Sequence, residues 1–154
     1  MMGHTGLSRW FSWGEMVGSG EARRRQIPNQ PSPGEQVALM SLARLVLDPI
    51  RDRVGRPVSV TSGYRSAELN GAIGGARGSQ HTRGEAADIK VRGLAGYELA
   101  REIYAIGLQF DQLIAYHADR GGHVHISYTT RRAARLEVLW APPEGGYLVW
   151  DPTA

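Results

Sequence analysis

The sequence predicts an α+β domain in which helices flank an antiparallel sheet. Two stretches with apolar residues at helical spacing are each followed by short β-branched or alternating segments, in the order helix, strands, helix, strands. The chain has 154 residues, shows no internal repeat and is 42% hydrophobic. A chain of this length buries roughly two-thirds of its unfolded surface, which is enough for one core without disulfides.

Residues 1–34 are predicted to form an N-terminal arm, and residues 35–154 the domain itself. The arm is rich in Gly, Ser, Pro and Arg, and it contains the aromatic residues Trp10, Phe11 and Trp13. We expect a short helix there that packs on the domain through these rings, because three aromatic side chains exposed on a free tail would be unfavourable.

The first helix of the domain is predicted to begin near Ser32. The segment 32–35 matches a capping box, and Pro33 takes the first helical position, where a missing N–H costs nothing. Gly55 ends the apolar pattern. Pro49 falls inside it, so we expect the helix to kink or restart there.

The rest of the chain predicts one more helix, a loop and a set of short strands. The glycine-rich segment 71–79 is predicted to be a loop. The tail from Pro142 onwards is interpreted as an edge strand that closes the core, since it is too short to fold alone. The predicted helix covers residues 96–107, and the predicted strands are 58–61, 86–91, 112–116, 123–128, 136–140 and 147–150.

Composition excludes several classes of protein. Cysteine is absent, so disulfides, thiolate metal sites and cysteine nucleophiles are excluded. No stretch approaches the roughly 20 apolar residues of a membrane span, and residues 1–9 lack the apolar run of a secretory signal, so we expect synthesis in the cytoplasm. The net charge is +3, yet no aromatic residues interleave the short Arg clusters. Nucleic-acid binding is therefore not expected, and we expect a monomer.

Histidines and one aspartate form the clearest candidate site. His81 and Asp88 are joined by a turn-prone segment, and His123 and His125 lie two apart on a predicted strand, so their rings face the same way. Asp88 lies in mid-strand between apolar residues, where an unpaired carboxylate would be costly. Two histidines and a carboxylate with one open position are typical of a catalytic zinc site.

The segment 79–88 resembles the Ser-x-His-x-x-Gly-x-Ala-x-Asp motif of the zinc D-alanyl-D-alanine carboxypeptidases. This family includes VanX-type dipeptidases and phage L-alanyl-D-glutamate endolysins. Residues 62–66 are similar to the Ser-Gly-Tyr-Arg-Ser element that precedes the motif, and residues 123–127 to the third ligand strand. The resemblance covers roughly residues 10–128 and implies a Hedgehog/D-Ala-D-Ala metallopeptidase-like fold.

The same resemblance implies one Zn²⁺ bound by His81, Asp88 and His125. The spacing of two residues does not by itself decide whether His123 or His125 is the third ligand. The family pattern favours His125. His123 is then expected to hydrogen-bond the tetrahedral intermediate or relay a proton. The alternative for His123 is a partly exposed ring beside the site.

The resemblance also assigns a catalytic role to Arg65. Its planar guanidinium can bind the substrate carboxylate or stabilise the developing oxyanion. The alternative is a surface pair with Glu68. Ser79 and Tyr64 are further substrate-binding candidates, and Tyr64 can instead serve in packing.

A metallopeptidase also needs a general base, and here the sequence departs from the family pattern. Relatives carry Glu after a segment similar to 111–114, whereas counting forward from that segment lands on Tyr116. Counting back from the ligand strand favours Asp119, which we predict to be the base, with His117 as the second choice. Glu85 lies within the ligand motif and is expected to be a solvated loop residue.

These features predict a zinc metallopeptidase that hydrolyses the stem peptides of peptidoglycan, most simply as a D-alanyl-D-alanine carboxypeptidase or endopeptidase. One alternative is L-alanyl-D-glutamate endopeptidase activity, as in phage endolysins, with a role in phage lysis or in the virion. Another is a non-catalytic zinc-containing module that binds the cell wall. In each case the expected partner is peptidoglycan, reached after release from the cytoplasm.

Overall fold

The computed structural model describes residues 6–154, which form a six-stranded sheet with helices packed against it. The strands are β1 (Ser59–Ser62), β2 (Ala86–Lys90), β3 (Gln112–Tyr116), β4 (Val124–Ser127), β5 (Glu137–Ala141) and β6 (Leu148–Val149). Their order in the sheet is β1–β2–β4–β3–β5–β6. The helices are α1 (Trp13–Val17), α2 (Gly20–Arg25), α3 (Pro33–Leu42), α4 (Asp48–Val54), α5 (Ala67–Ala72) and α6 (Gly96–Ile106).

The predicted α+β class, with a sheet flanked by helices, is confirmed. The sheet is antiparallel in every pairing except one, because β3 and β5 run parallel. β4 runs antiparallel to β3 and pairs with one of its edges. The connection over 128–136 reverses the chain once more, so β5 runs parallel to β3 and pairs with its other edge. Strand positions were predicted to within one or two residues, whereas this pairing depends on a long-range connection.

Pro49 is accommodated by a widened helical turn between α3 and α4. Residues Ala43–Leu47 form a π-helical turn in which the N–H of Asp48 donates to the carbonyl of Ala43. A proline lacks the N–H that would satisfy a carbonyl of the preceding turn, and a wide turn redistributes those hydrogen bonds. The chain therefore stays helical to Val54 and ends at Gly55 in a left-handed conformation.

The two faces of the sheet differ in character. On one face, alternate residues of the central strands pack against α3, α4 and α6 and form the core. These strand residues are Ala87, Ile89, Leu113, Ala115, Val124 and Ile126, all fully buried. The intervening residues, including Asp88 and His125, point to the opposite face, which leaves that face available for a site.

The N-terminal arm contributes to the same core. Phe11 and Met16 are buried in it, whereas Trp10 is 43% exposed and lies under the guanidinium of Arg51, 4.1 Å from the ring centroid. The boundary at residue 34 stays a prediction, and His4 lies outside the described residues. In the described part of the chain, no helix is long and apolar enough to cross a membrane.

Candidate metal centre

The three side chains predicted as metal ligands converge on one point of the open sheet face. The register of β2 and β4 places Asp88 directly opposite His125, and His81 comes from the 3₁₀ turn Gln80–Arg83 just before β2. Asp88 Oδ1 lies 3.1 Å from His125 Nδ1 and 3.4 Å from His81 Nε2. One ligand atom from each residue lies within 4.8 Å of the other two, which is close enough to hold one metal ion.

The turn that carries His81 depends on the small residues of its motif. The hydroxyl of Ser79 accepts a hydrogen bond from the backbone N–H of His81 and caps the turn. Gly84 ends the turn with φ of 74°, a left-handed conformation that glycine adopts without strain. A Cβ at Gly84 would lie 2.6 Å from the carbonyl oxygen of Glu35, so the motif glycine also permits close packing against α3.

A backbone carbonyl fixes the orientation of the His81 ring. His81 Nδ1 lies 2.7 Å from the carbonyl oxygen of Gly63, so this nitrogen donates and Nε2 is left as the acceptor that faces Asp88. Such a partner behind a ligating imidazole is the usual way in which a metal site sets the tautomer. Gly63 itself has no room for a side chain, because a Cβ there would lie 2.2 Å from the carbonyl oxygen of Met16.

The charge of the triad suits a cation. Burial alone would raise the pKa of Asp88, but the hydrogen bond from His125 and the neighbouring His81 ring outweigh it and hold that pKa far below its ordinary value. Burial lowers the pKa of His125, which favours the neutral ring. The site therefore presents one buried carboxylate and two imidazole rings, a donor set that fits Zn²⁺.

Arg65 lies beside this triad. Its backbone N–H donates to the carbonyl of His81, and its side chain bonds the hydroxyl of Ser62 and the amide oxygen of Asn70 at 3.0 and 3.1 Å. Its Nη2 lies 3.5 Å from Asp88 Oδ2. These contacts replace the alternative surface pair with Glu68, and they hold the guanidinium at the edge of the metal position.

A groove of about 430 Å³ runs across the triad. Ser79 and Arg65 line it, and their substrate-binding roles stay predictions. Tyr64 does not, because it packs in the core with 6% exposure, where burial and a hydrogen bond to Glu35 raise its pKa to about 12. The other lining side chains include Arg77, Gln112, Ile114, Tyr116, Arg135, Leu139 and Tyr147.

The predicted base Asp119 lies away from this groove. It occupies the 3₁₀ turn Ala118–Arg120 after β3, its side chain is 72% exposed, and its Oδ2 lies 3.8 Å from His117 Nδ1. His123 stacks on the ring of Tyr116 with centroids 4.2 Å apart and does not line the groove. The structure thus brings together the predicted metal ligands, Arg65 and Ser79, but it leaves Asp119, His117 and His123 outside the groove.

Glu85 is not the solvated residue that was expected. It is 4% exposed and accepts two hydrogen bonds from the Arg131 guanidinium, at 2.9 Å each, and one from the hydroxyl of Thr129. Glu85 lies between the candidate ligands His81 and Asp88 in a segment predicted to be a loop. The connection after β4 folds back over it and buries it. This buried carboxylate therefore fastens residues 129–131 to the ligand turn.

Asp111 does the same for the following residues of that connection. It is fully buried and accepts hydrogen bonds from Arg132, Arg135 and Gln80 at 3.0, 2.8 and 3.1 Å. Gln80 immediately precedes the candidate ligand His81, and Arg135 lines the groove. Asp111 thus joins the ligand turn to the groove wall, a role that sequence reasoning missed because its partners are distant along the chain.

Comparison with known proteins agrees with this geometry. A family model described as peptidase M15 matches residues 11–127, which include all three metal-ligand candidates and Arg65. No curated protein matches the chain. The match covers well over half of the chain. Peptidases of this family depend on zinc, and the His–Asp–His group that the sheet assembles here could hold a metal ion. The chain therefore belongs to the peptidase M15 family.

Proposed function

We propose that this protein is a zinc peptidase that hydrolyses the stem peptides of peptidoglycan, with D-alanyl-D-alanine termini as its first substrate. The observation that supports this most directly is the buried His81–Asp88–His125 group at the floor of an open groove. Hydrolysis breaks the amide C–N bond, adds the oxygen of water to the acyl carbon and delivers a proton to the leaving amine. When bound, a zinc ion supplies Lewis-acid activation of the carbonyl and of water.

The arginines of the groove are suited to a peptide that carries carboxylates. Arg65, Arg77 and Arg135 line it, and Asp88 is its single carboxylate among the described residues. Arg135 is partly neutralised by Asp111, but Arg65 is held rigidly by Ser62 and Asn70 with only 15% of its side chain exposed. A pre-oriented guanidinium beside the metal position can bind a terminal carboxylate through two parallel hydrogen bonds.

The number of arginines also favours the second specificity, cleavage of L-alanyl-D-glutamate bonds. A D-Ala-D-Ala bond has the terminal carboxylate as its only nearby free carboxylate, whereas an L-alanyl-D-glutamate bond has the free α-carboxylate of D-glutamate beside it and a further carboxylate farther along the stem peptide. Arg77 and Arg135 would take the additional carboxylate. Under either specificity the protein acts on the cell wall after release from the cytoplasm, in a phage lysis or virion role.

A non-catalytic, zinc-containing wall-binding module is favoured by one feature of the groove. No carboxylate other than the candidate ligand Asp88 lines it in residues 6–154, so a conventional carboxylate base is lacking at the metal position. Asp119 keeps its predicted role only if substrate binding brings it to the groove.

Mass spectrometry of the products from defined muropeptides, with and without a chelator, tests the proposal. We expect the wild-type protein to remove the terminal D-Ala from muropeptides, or to cut them between L-Ala and D-Glu. Glu68→Gln, which alters an exposed carboxylate three residues after Arg65, should give the same products. The chelated protein and Asp88→Asn should be inactive. Zinc-loaded protein that retains purified sacculi but cleaves no muropeptide would instead support the binding module.

A further inference from the structure

Two tyrosines meet at the wall of the groove. Tyr116 is the last residue of β3 and lies on the same face as Ile114, which pairs with His125. Tyr147 comes from the tail that precedes β6, beyond the segment that the family model matches. Their hydroxyl oxygens are 3.1 Å apart, and both side chains line the groove together with the metal-ligand candidates.

One of the two phenol O–H groups in this pair is always free to donate a hydrogen bond elsewhere. Each phenol carries one O–H, and the contact between Tyr116 and Tyr147 uses one of the two, whichever residue donates. The second O–H remains available to a group in the groove. A hydroxyl that also accepts a hydrogen bond is a stronger donor, because the two bonds polarise each other.

The rings are held firmly in place. His123 stacks against Tyr116 at 4.2 Å with an interplanar angle of 19°, and the Arg120 guanidinium lies 5.4 and 5.2 Å from the centroids of Tyr116 and Tyr147. Arg120 Nη1 also donates to the carbonyls of Pro142 and Gly146, at 3.3 and 2.7 Å. Arg120 is thus a positioning residue that fixes the tail turn from which Tyr147 projects.

Tyr116 is a donor and not a base at neutral pH. Burial, together with the hydrogen bond to Tyr147 and the charge of Asp88, raises the pKa of its phenol above the ordinary value. Tyr116 occupies the position at which relatives are expected to carry Glu, when residues are counted forward from the segment 111–114. In this groove a neutral donor therefore replaces a proton acceptor.

We propose that Tyr116 and Tyr147 form a catalytic hydrogen-bond donor pair that binds the scissile carbonyl oxygen as negative charge develops on it. This inference rests on the proposed function, since it requires a carbonyl at the metal position. It makes the C-terminal tail part of the active site. No proton leaves either phenol in this role, so the step needs no further reactant.

Tyr116→Phe, Tyr147→Phe and the double variant test the pair, with Tyr104→Phe as the control because Tyr104 is exposed and does not line the groove. Loss of one oxyanion donor lowers kcat by about 100-fold. We expect that loss in Tyr116→Phe with KM within about threefold of wild type. Tyr147→Phe should lose about fivefold, the value of one neutral hydrogen bond, and the double variant should be no worse than Tyr116→Phe.

Binding measurements separate this role from a structural one. By calorimetry, a phosphinate peptide, which mimics the tetrahedral centre, should bind Tyr116→Phe about 100-fold more weakly than wild type. A reduced-amide peptide, which has no carbonyl oxygen, should bind both equally, and the zinc content should not change.

Four outcomes would overturn the pair. One is kcat of Tyr116→Phe within threefold of wild type, and another is equal weakening of both inhibitors. If Tyr116→Phe fails to fold, Tyr147→Phe decides: a lower kcat at unchanged Tm supports the pair, and unchanged kcat overturns it. A wild-type protein that cleaves no muropeptide and binds no phosphinate overturns the proposed function, and the donor pair with it.

Discussion

Asp111→Asn should destabilise the protein at neutral pH and lose that effect in acid. The substitution keeps the shape of a fully buried side chain but removes the charge that Arg132 and Arg135 neutralise. Removing one partner of a buried ion pair costs about 3–5 kcal/mol. Here the two guanidinium side chains are 39% and 47% exposed, so water compensates part of the loss and we expect about 2–3 kcal/mol.

The pH dependence follows from the direction of the pKa shift. Burial alone would raise the pKa of Asp111, but the hydrogen bonds from Arg132 and Arg135 outweigh it and place the folded-state pKa below the unfolded value of 3.8. Stabilisation by a carboxylate of this kind is present above the unfolded pKa and disappears as pH falls through the folded pKa. The difference between wild type and Asp111→Asn should therefore shrink steadily from pH 5 towards pH 2.

Thermal unfolding followed by circular dichroism measures both effects. For a chain of this length, each kcal/mol shifts Tm by roughly 3 °C, so Asp111→Asn should lower Tm by about 6–9 °C at pH 7. Glu144→Gln, at an exposed tail position, is the matched control and should leave Tm unchanged. An equal Tm at pH 7, or a difference that widens in acid, would refute the reasoning.

Three further predictions concern the site. His81→Ala should reduce bound zinc from about one ion per chain to near zero by elemental analysis, and retained zinc would exclude His81 as a ligand. Gly84→Ala should cost about 2–4 kcal/mol in chemical unfolding, because it combines a left-handed φ with a 2.6 Å contact to Glu35; a loss below about 0.5 kcal/mol would contradict the packing. Asp119→Ala should keep muropeptide hydrolysis within about threefold of wild type, because its side chain is 72% exposed and outside the groove; a hundredfold loss would restore Asp119 as the base.

Features encoded by neighbouring residues could be predicted from the sequence. The capping box at Ser32 formed as expected, with its hydroxyl and the Glu35 carboxylate each meeting a backbone N–H. The spacing of His81 and Asp88 also sufficed to bring both side chains to one point, because a capped turn leads directly into β2. Such features depend on short-range geometry, which the chain carries wherever the segment is placed.

Features that depend on distant segments were missed or misplaced. Glu85 was expected in solvent, yet Thr129 and Arg131 cover it from more than 40 positions away. Asp119 was chosen by counting along the chain, but the turn after β3 carries it away from the groove.

Local spacing and periodicity were enough to predict the candidate metal-binding motif, the helix cap at Ser32 and the approximate strands. They could not predict that Tyr116 and Tyr147 share the groove, that Asp111 and Glu85 anchor its wall, or that β3 and β5 run parallel. These contacts depend on strand register and on how distant segments of the chain cross. A one-residue slip in register would turn Tyr116 to the other face of the sheet without changing any local pattern.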